Sequence, residues 1–374
     1  VSGLSDTLDG AQVVICVGAG GVGKTTISAA LALGLARGGA RAAVITIDPA
    51  RRLADALGVG PLGNEPQRVD VPDAAPDGEL WAMMLDAKLT FDELIGRLAP
   101  DAATREAILA DPIYVQLSTA IGGAQEYTAM AKLYDLVTEG GFDVVVLDTA
   151  PSRNAMDFLR APDRLLAFLE GRAVRALLLP GGALARAGAS GAGIALRMLR
   201  RILGVDLLGD LATFLGEISG LLGAFATRSQ AVRRLLSDPR TRCVVVTSPT
   251  VAAVREAEYL CGQLRRSGLA LAGVVVNRVQ LVDPAGADPV SVQARLAPVL
   301  GDALAARVAG SHVLLQRLAE HDAASVERLR DRLAGLPVVT VADRAAAVHD
   351  LAGLALVERQ LIGAVDRSEL MRQS

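Results

Sequence analysis

Residues 18–25 read Gly-Ala-Gly-Gly-Val-Gly-Lys-Thr, a full GxxxxGK[ST] match, and no other stretch of the chain constrains its fold as tightly. The loop follows the apolar run Val13-Val14-Ile15-Cys16-Val17, which is short and β-branched and reads as a buried parallel strand. It opens into Thr25 to Arg37, rich in Ala and Leu and closed by Gly38-Gly39, which reads as a helix. In such a junction Gly18, Gly20, Gly21 and Gly23, with Val22 between them, let successive backbone N–H groups turn inward around phosphate oxygens. The helix N-terminus, at Thr25 and Thr26, adds its positive dipole. Lys24 can then reach the β- and γ-phosphates, and the Thr25 hydroxyl can bind Mg²⁺. Of the 38 basic residues only Lys24, Lys88 and Lys132 are lysines, so a lysine here is not compositional background.

The rest of the chain extends the strand–helix alternation. Ala42 to Ile47 reads as the next strand, which completes a right-handed βαβ unit. Leu80 to Leu85, Val144 to Leu147, Cys243 to Thr247, Gly273 to Val276 and Pro337 to Thr340 read as further strands separated by helical stretches. Residues 58–78 hold four prolines and read as a connecting loop. The expected fold is α/β: a P-loop NTPase with a mainly parallel central sheet flanked by helices, plus a helical insertion. The core is expected over 1–152 and 241–374, and the insertion over 153–240 with part of 90–135. Residues 151–240 show no strand pattern and carry 13 arginines against seven acidic residues, in a chain whose net charge is −3. They read either as helices packed on the sheet with solvated arginines or as a docking surface for an apolar or anionic client.

Composition removes other classes. With 51% hydrophobic and 21% charged residues the chain is not disordered. Its near-balanced charge leaves no footprint for nucleic acid. No uncharged stretch approaches the roughly 18–20 apolar residues needed to span a bilayer, so no integral membrane segment is expected. Cys16, Cys243 and Cys261 are odd in number and widely spaced, which argues against a disulfide framework or structural zinc. His312, His321 and His349 lack metal-ligand spacing and read as surface or capping residues. The expected setting is reduced and cytoplasmic.

Two aspartates stand at strand ends. Asp148 closes the run Val144 to Leu147, where a P-loop protein places its Mg²⁺-organising carboxylate. Asp48 closes the strand after the P-loop helix, where a carboxylate can hold or deprotonate an attacking water. Their neighbours, Thr46-Ile47-Asp48-Pro49-Ala50-Arg51-Arg52-Leu53-Ala54-Asp55-Ala56 and Asp148-Thr149-Ala150-Pro151, resemble the two switch segments of the ArsA-like ATPases. That family includes arsenite-pump ATPases and ATPases that target tail-anchored membrane proteins. Val274-Val275-Val276-Asn277 also fits it. The resemblance covers the sheet-forming parts and is weak in the helical insertion. It implies an ATP-driven dimer that opens and closes around nucleotide and couples closure to cargo. By position, Lys24 and Thr25 would bind phosphate and Mg²⁺, Asp48 would position water, Asp148 would support Mg²⁺ through water, and Asn277 would face the base. Adenine is favoured, because Asn277-Arg278-Val279-Gln280 lacks the Asp of the guanine-reading Asn-Lys-x-Asp.

Departures from the family pattern narrow the expectation. The family's second, signature lysine is replaced by Ala19. Arg51 stands for the usual His of the first switch, and Ser152-Arg153-Asn154 for the Thr-Gly-His of the second. No cysteine triad suits arsenite and no CxxC suits an intersubunit zinc clasp. Paired ArsA-like ATPases of high-GC bacteria are the nearest likeness. Alanine cannot reach a partner's nucleotide, so the economical arrangement is a heterodimer with a lysine-bearing paralogue. The competing arrangement is a homodimer in which Arg51, Arg52 or Arg153 supplies the charge. Rival readings are a regulatory subunit that binds ATP but hydrolyses it weakly, and a positioning ATPase of the MinD/ParA type. The last is disfavoured by the tail at 361–374, which has no basic amphipathic face.

Overall fold

The computed structural model describes residues 3–111, 114–115, 124–149, 221–281, 288–343 and 348–362. The expectations for Ala150, Pro151, Ser152-Arg153-Asn154, most of the helical insertion and the last twelve residues lie outside them.

One compact unit takes Val1–Met84, Gly141–Ala155 and Pro239–Ser374, and is built on an eight-stranded sheet. In chain order its elements are α1 (Ser5–Leu8), β1 (Val13–Val17), α2 (Lys24–Arg37), β2 (Arg41–Thr46), α3 (Arg52–Leu57), β3 (Gln67–Val69) and β4 (Glu79–Met84). After the second unit's helices come β5 (Val144–Asp148) and β6 (Thr241–Thr247). The strand order is β3-β4-β2-β5-β1-β6, continuing to β7 (Ala270–Val279) and β8 (Val338–Ala342). All neighbours pair parallel except β3 with β4, which is antiparallel. β1 and β5 are buried at every position, which is why they read as unbroken apolar runs rather than alternating ones.

The sequence places the strands well, with one exception. β3 falls inside the proline-rich stretch expected to be loop throughout. It is three residues long, sits at the sheet edge, and exposes Gln67 and Arg68, so it carries no period to read. Helix α2 is apolar nearly all round: Ile27, Leu31 and Leu33 are fully buried, because it lies between the sheet and α11 (Leu351–Ile362).

The second compact unit takes Leu85–Gly140 and Met156–Asp238. Its described helices are α4 (Ala87–Leu98), α5 (Ala102–Ala110), α6 (Ala124–Thr138) and α7 (Leu222–Ser237). Phe91 stacks on both Tyr114 and Phe225, and Tyr127 tilts against Phe225, so four of the chain's few aromatics form its core. Arg228 joins α7 to α6 through Asp135 and the Ala131 carbonyl. Asp86 and Asp101 cap α4 and α5 by accepting from Leu89 N and Thr104 N.

Returning to the first unit, α8 (Val251–Arg266) connects β6 and β7, and α9 (Pro289–Leu300) with the 31-residue α10 (Asp302–Arg332) connects β7 and β8. α9 and α10 pack on each other as a hairpin.

Candidate active site

Parallel pairing puts the ends of β1, β2, β5 and β7 on one edge of the sheet. The register sets Asp148 beside Cys16 of β1 and beside Thr46 of β2, so the loops leaving β1 and β2 meet over the Asp148 carboxylate. This is the crevice outside the carboxyl ends of the strands where open α/β sheets bind ligands. A cavity of ≈ 700 Å³ opens there, lined among others by Gly21, Gly23, Lys24, Thr25, Thr26, Asp48, Thr149 and Asn277.

The loop from Gly18 to Lys24 takes a left-handed φ at Gly18, Gly21 and Gly23, and at two of these there is also no room for a Cβ. Gly18 has φ +154°, and a Cβ there would lie 2.0 Å from the Val246 carbonyl oxygen of β6. Gly23 has φ +92°, and a Cβ there would lie 2.2 Å from Asn277 Nδ2. Lys24 folds back over the loop, its Nζ donating to the Gly18 and Ala19 carbonyls at 3.0 and 2.9 Å. Burial lowers its pKa, and the negative charge of Asp148 opposes that shift.

Asp148 Oδ2 accepts from Thr25 Oγ1 at 2.7 Å and from Thr46 Oγ1 at 2.9 Å. Its other oxygen, Oδ1, is buried with no partner among the described residues. Burial pushes the carboxyl up to about 6 against the pull of the two hydroxyls and Lys24, and Asp48 pushes the same way as burial. An unpartnered buried carboxylate oxygen beside a threonine hydroxyl fits the outer shell of a hard divalent cation, which takes oxygen ligands and keeps its waters. No cluster of three or more His, Cys, Asp or Glu with metal-ligand geometry exists among the described residues.

Asp48 lines the cavity just past β2. Its Oδ1 accepts from Ala50 N at 3.0 Å, and its Oδ2 pairs with Arg52 at 3.2 Å. Arg52 also lines the cavity, whereas Arg51 is exposed at the start of α3. Arg153 lies outside the described residues. Asn277 is buried, and its amide nitrogen is committed to the loop, donating to the Val22 carbonyl at 2.9 Å. Its Oδ1 accepts from Arg278 N, which holds Arg278 at φ +61°.

Several residues have no individual role in the sequence reading and gain one only in the fold. Thr46 is one hydroxyl ending a strand, yet it orients Asp148 and also accepts from Asp48 N at 3.2 Å. Thr149 donates to the Cys16 carbonyl at 2.8 Å and so ties β5 to β1. Asp55, Asp343 and His349 complete the wall from α3 and the segment after β8. His349 is exposed, as its spacing in the chain implies, and lies on the cavity rim.

Fold and site together define a P-loop nucleotide-binding protein of the α/β class. The sequence profile of the Anion-transporting ATPase family matches residues 11–297, and the chain belongs to that family. It is 28% identical over 289 residues to ATPase ARSA1 of Chlamydomonas reinhardtii, covering 70% of this chain and 34% of that protein. It is 28% identical over 266 residues to ATPase GET3A of Arabidopsis thaliana, covering 70% and 65%. A shorter match, 36% over 152 residues, is to ATPase GET3 of Malassezia globosa, covering 41% and 43%. The chain thus spans between about a third and two thirds of the length of these relatives.

Proposed function

We propose that this chain is a Mg²⁺-dependent ATPase of the switch type, hydrolysing ATP to ADP and phosphate as one subunit of a dimer. The observation that carries the reading is that Lys24, Thr25 and Asp48 line one cavity beside the glycine loop, with Asp148 buried behind Thr25 and hydrogen-bonded to it. The loop amides and the α2 N-terminus would cradle the phosphates, and Lys24 would leave the Gly18 and Ala19 carbonyls for the β- and γ-oxygens. Thr25, with Asp148 behind it, would hold Mg²⁺, which supplies charge neutralisation on those oxygens when bound. Asp48 would orient water for in-line attack once free of Arg52. Asn277 would face the base, and its amide nitrogen also supports the loop through the Val22 carbonyl.

The chemistry would drive a conformational change, with the switch segments responding to the γ-phosphate. The second subunit is a paralogue that keeps the lysine missing at Ala19, or a second copy in which Arg52 supplies the charge. The client would be apolar or anionic, received by the helical unit. Among the described residues no helix is long and apolar enough to cross a membrane.

The ion pair between Asp48 and Arg52 favours one alternative, a nucleotide-binding subunit of low turnover whose water-positioning carboxylate is masked. Steady-state phosphate release by wild type and Lys24→Ala separates the two. Turnover that Lys24→Ala abolishes supports the ATPase. Tight ATP binding with no turnover above Lys24→Ala supports the regulatory subunit.

A further inference from the structure

The segment between β2 and α3 sets a permanent cation against the carboxylate assigned to water. Arg52 Nη1 lies 3.2 Å from Asp48 Oδ2, and the two ends of this pair are held very differently. Asp48 is fixed by its own turn: Oδ1 accepts from Ala50 N at 3.0 Å, and its backbone N–H donates to Thr46 Oγ1 at 3.2 Å. Its side chain is 14% exposed. The Arg52 backbone is anchored as well, because Leu53 and Leu57 of the short α3 are buried. Its side chain, however, is 63% exposed. When the pair opens, the guanidinium moves and the carboxylate stays.

The pair stands among the phosphate-binding groups. Lys24, Thr25, Asp48 and Arg52 line one cavity, and the negative charge of Asp48 acts on both Lys24 and Asp148. Three permanent cations line that cavity: Lys24, Arg52 and Arg278. Arg278 follows Asn277, at the end assigned to the base, and Ala19 offers no charge. Arg52 is therefore the cation that can join Lys24 on a third phosphate without leaving the cavity wall. The exchange runs downhill. An arginine–carboxylate pair this exposed, four residues apart, is held weakly, whereas a terminal phosphate carries more charge and accepts two parallel N–H bonds from the same guanidinium.

We propose that Arg52 is a catalytic residue of its own chain's site, its guanidinium exchanging the Asp48 carboxylate for the γ-phosphate oxygens when ATP binds. This rests on the hydrolytic reading above and deepens it, placing the charge missing at Ala19 in the same chain rather than in a second copy. One movement has two effects. It brings positive charge to oxygens that gain negative charge in the transition state, and it frees Asp48 Oδ2 to accept from the attacking water. In that step the water oxygen bonds to the γ-phosphorus while the bond to the β–γ bridging oxygen breaks. The bridging oxygen keeps the electron pair and leaves on ADP. One water proton stays on the new phosphate oxygen, and the other passes to Asp48 Oδ2 and on to solvent. With ADP there is no third phosphate to compete, so Arg52 stays on Asp48 and water is not oriented.

The test measures binding first, because binding needs no turnover. The full chain is titrated at equilibrium with ADP and with the non-hydrolysable β,γ-imido analogue of ATP, both with Mg²⁺. Arg52→Gln should leave ADP affinity unchanged and weaken the analogue roughly 10- to 100-fold, as for a lost hydrogen bond to a charged group. Arg52→Lys should fall between Arg52→Gln and wild type, since it keeps the charge without the fork. In turnover, Arg52→Gln should lower kcat roughly 10³-fold or more, the range for an arginine on a transferring phosphoryl group. Equal analogue affinity in wild type and Arg52→Gln, or equal loss for ADP and analogue, overturns the proposal. Faster turnover in Arg52→Gln overturns it too, and means that Arg52 only locks Asp48. Mixing Arg52→Gln with Lys24→Ala should regain no turnover, because each chain then carries a defect in its own site. Regained turnover means that Arg52 serves a neighbouring subunit and overturns the assignment. A protein that tells the analogue from ADP through Arg52 but hydrolyses nothing contradicts the hydrolytic reading alone. Turnover that Lys24→Ala abolishes and Arg52→Gln leaves intact contradicts this proposal alone.

Discussion

At the scale of single residues, Asp148 carries the largest electrostatic cost in the site. Its carboxyl is raised from 3.8 to about 6, so between those values the folded chain holds a proton that the unfolded chain has lost. The sign follows: this group's contribution is most favourable below pH 4 and is lost as pH rises through about 6. Asp148→Asn removes the titration but keeps an acceptor for Thr25 and Thr46. The nucleotide-free variant should therefore gain stability over wild type as pH rises from 4 to 7, by up to about 3 kcal/mol at one pKa unit per 1.4 kcal/mol. Thermal melts of both proteins across that range check it, and parallel curves would contradict it. Asn277 gives a second residue-scale expectation. Asn277→Ala leaves the Val22 carbonyl without its donor, so nucleotide affinity should fall roughly 10-fold for a lost hydrogen bond worth about 1.5 kcal/mol. Equilibrium binding of a fluorescent ATP analogue measures this.

At the scale of elements, what the sequence discloses depends on whether an element's signal is contiguous. β1 and β5 are legible because strands buried on both faces consist of unbroken Val, Ile and Leu. The glycine loop is legible because one stretch of eight residues contains all of it. β3 is not, because two of its three residues are exposed. Nor is the extent of α10, whose inward and outward stripes both carry apolar residues, so no single amphipathic period stands out. Thr46 meets Asp148, and Asp343 and His349 join the cavity, only when β2 and the segment after β8 are brought to the same edge. At the amino edge Arg41 lies over Trp81 and Phe142, 5.4 and 5.1 Å from their ring centroids, and pairs with Glu79. This cluster joins β2 to β4 on the side away from the nucleotide. Arg41→Gln should cost about 1 kcal/mol and leave nucleotide affinity unchanged. Trp81 is the chain's one tryptophan, so its fluorescence reports both unfolding and any local change.

At the scale of the whole molecule, the central claim is that a cavity at one edge of the sheet turns over ATP and uses Asp48 to do so. Affinity and turnover should separate, because the loop and Lys24 supply the first and Asp48 supplies the second. The most direct test is ATP binding and phosphate release measured on the same preparations of wild type and Asp48→Asn. The expected result is near-wild-type binding with turnover reduced roughly 10² to 10⁴-fold, the range for losing a positioned base. Equal loss of binding and turnover, or turnover that survives the substitution, would contradict the assignment of Asp48 and the hydrolytic site built around it.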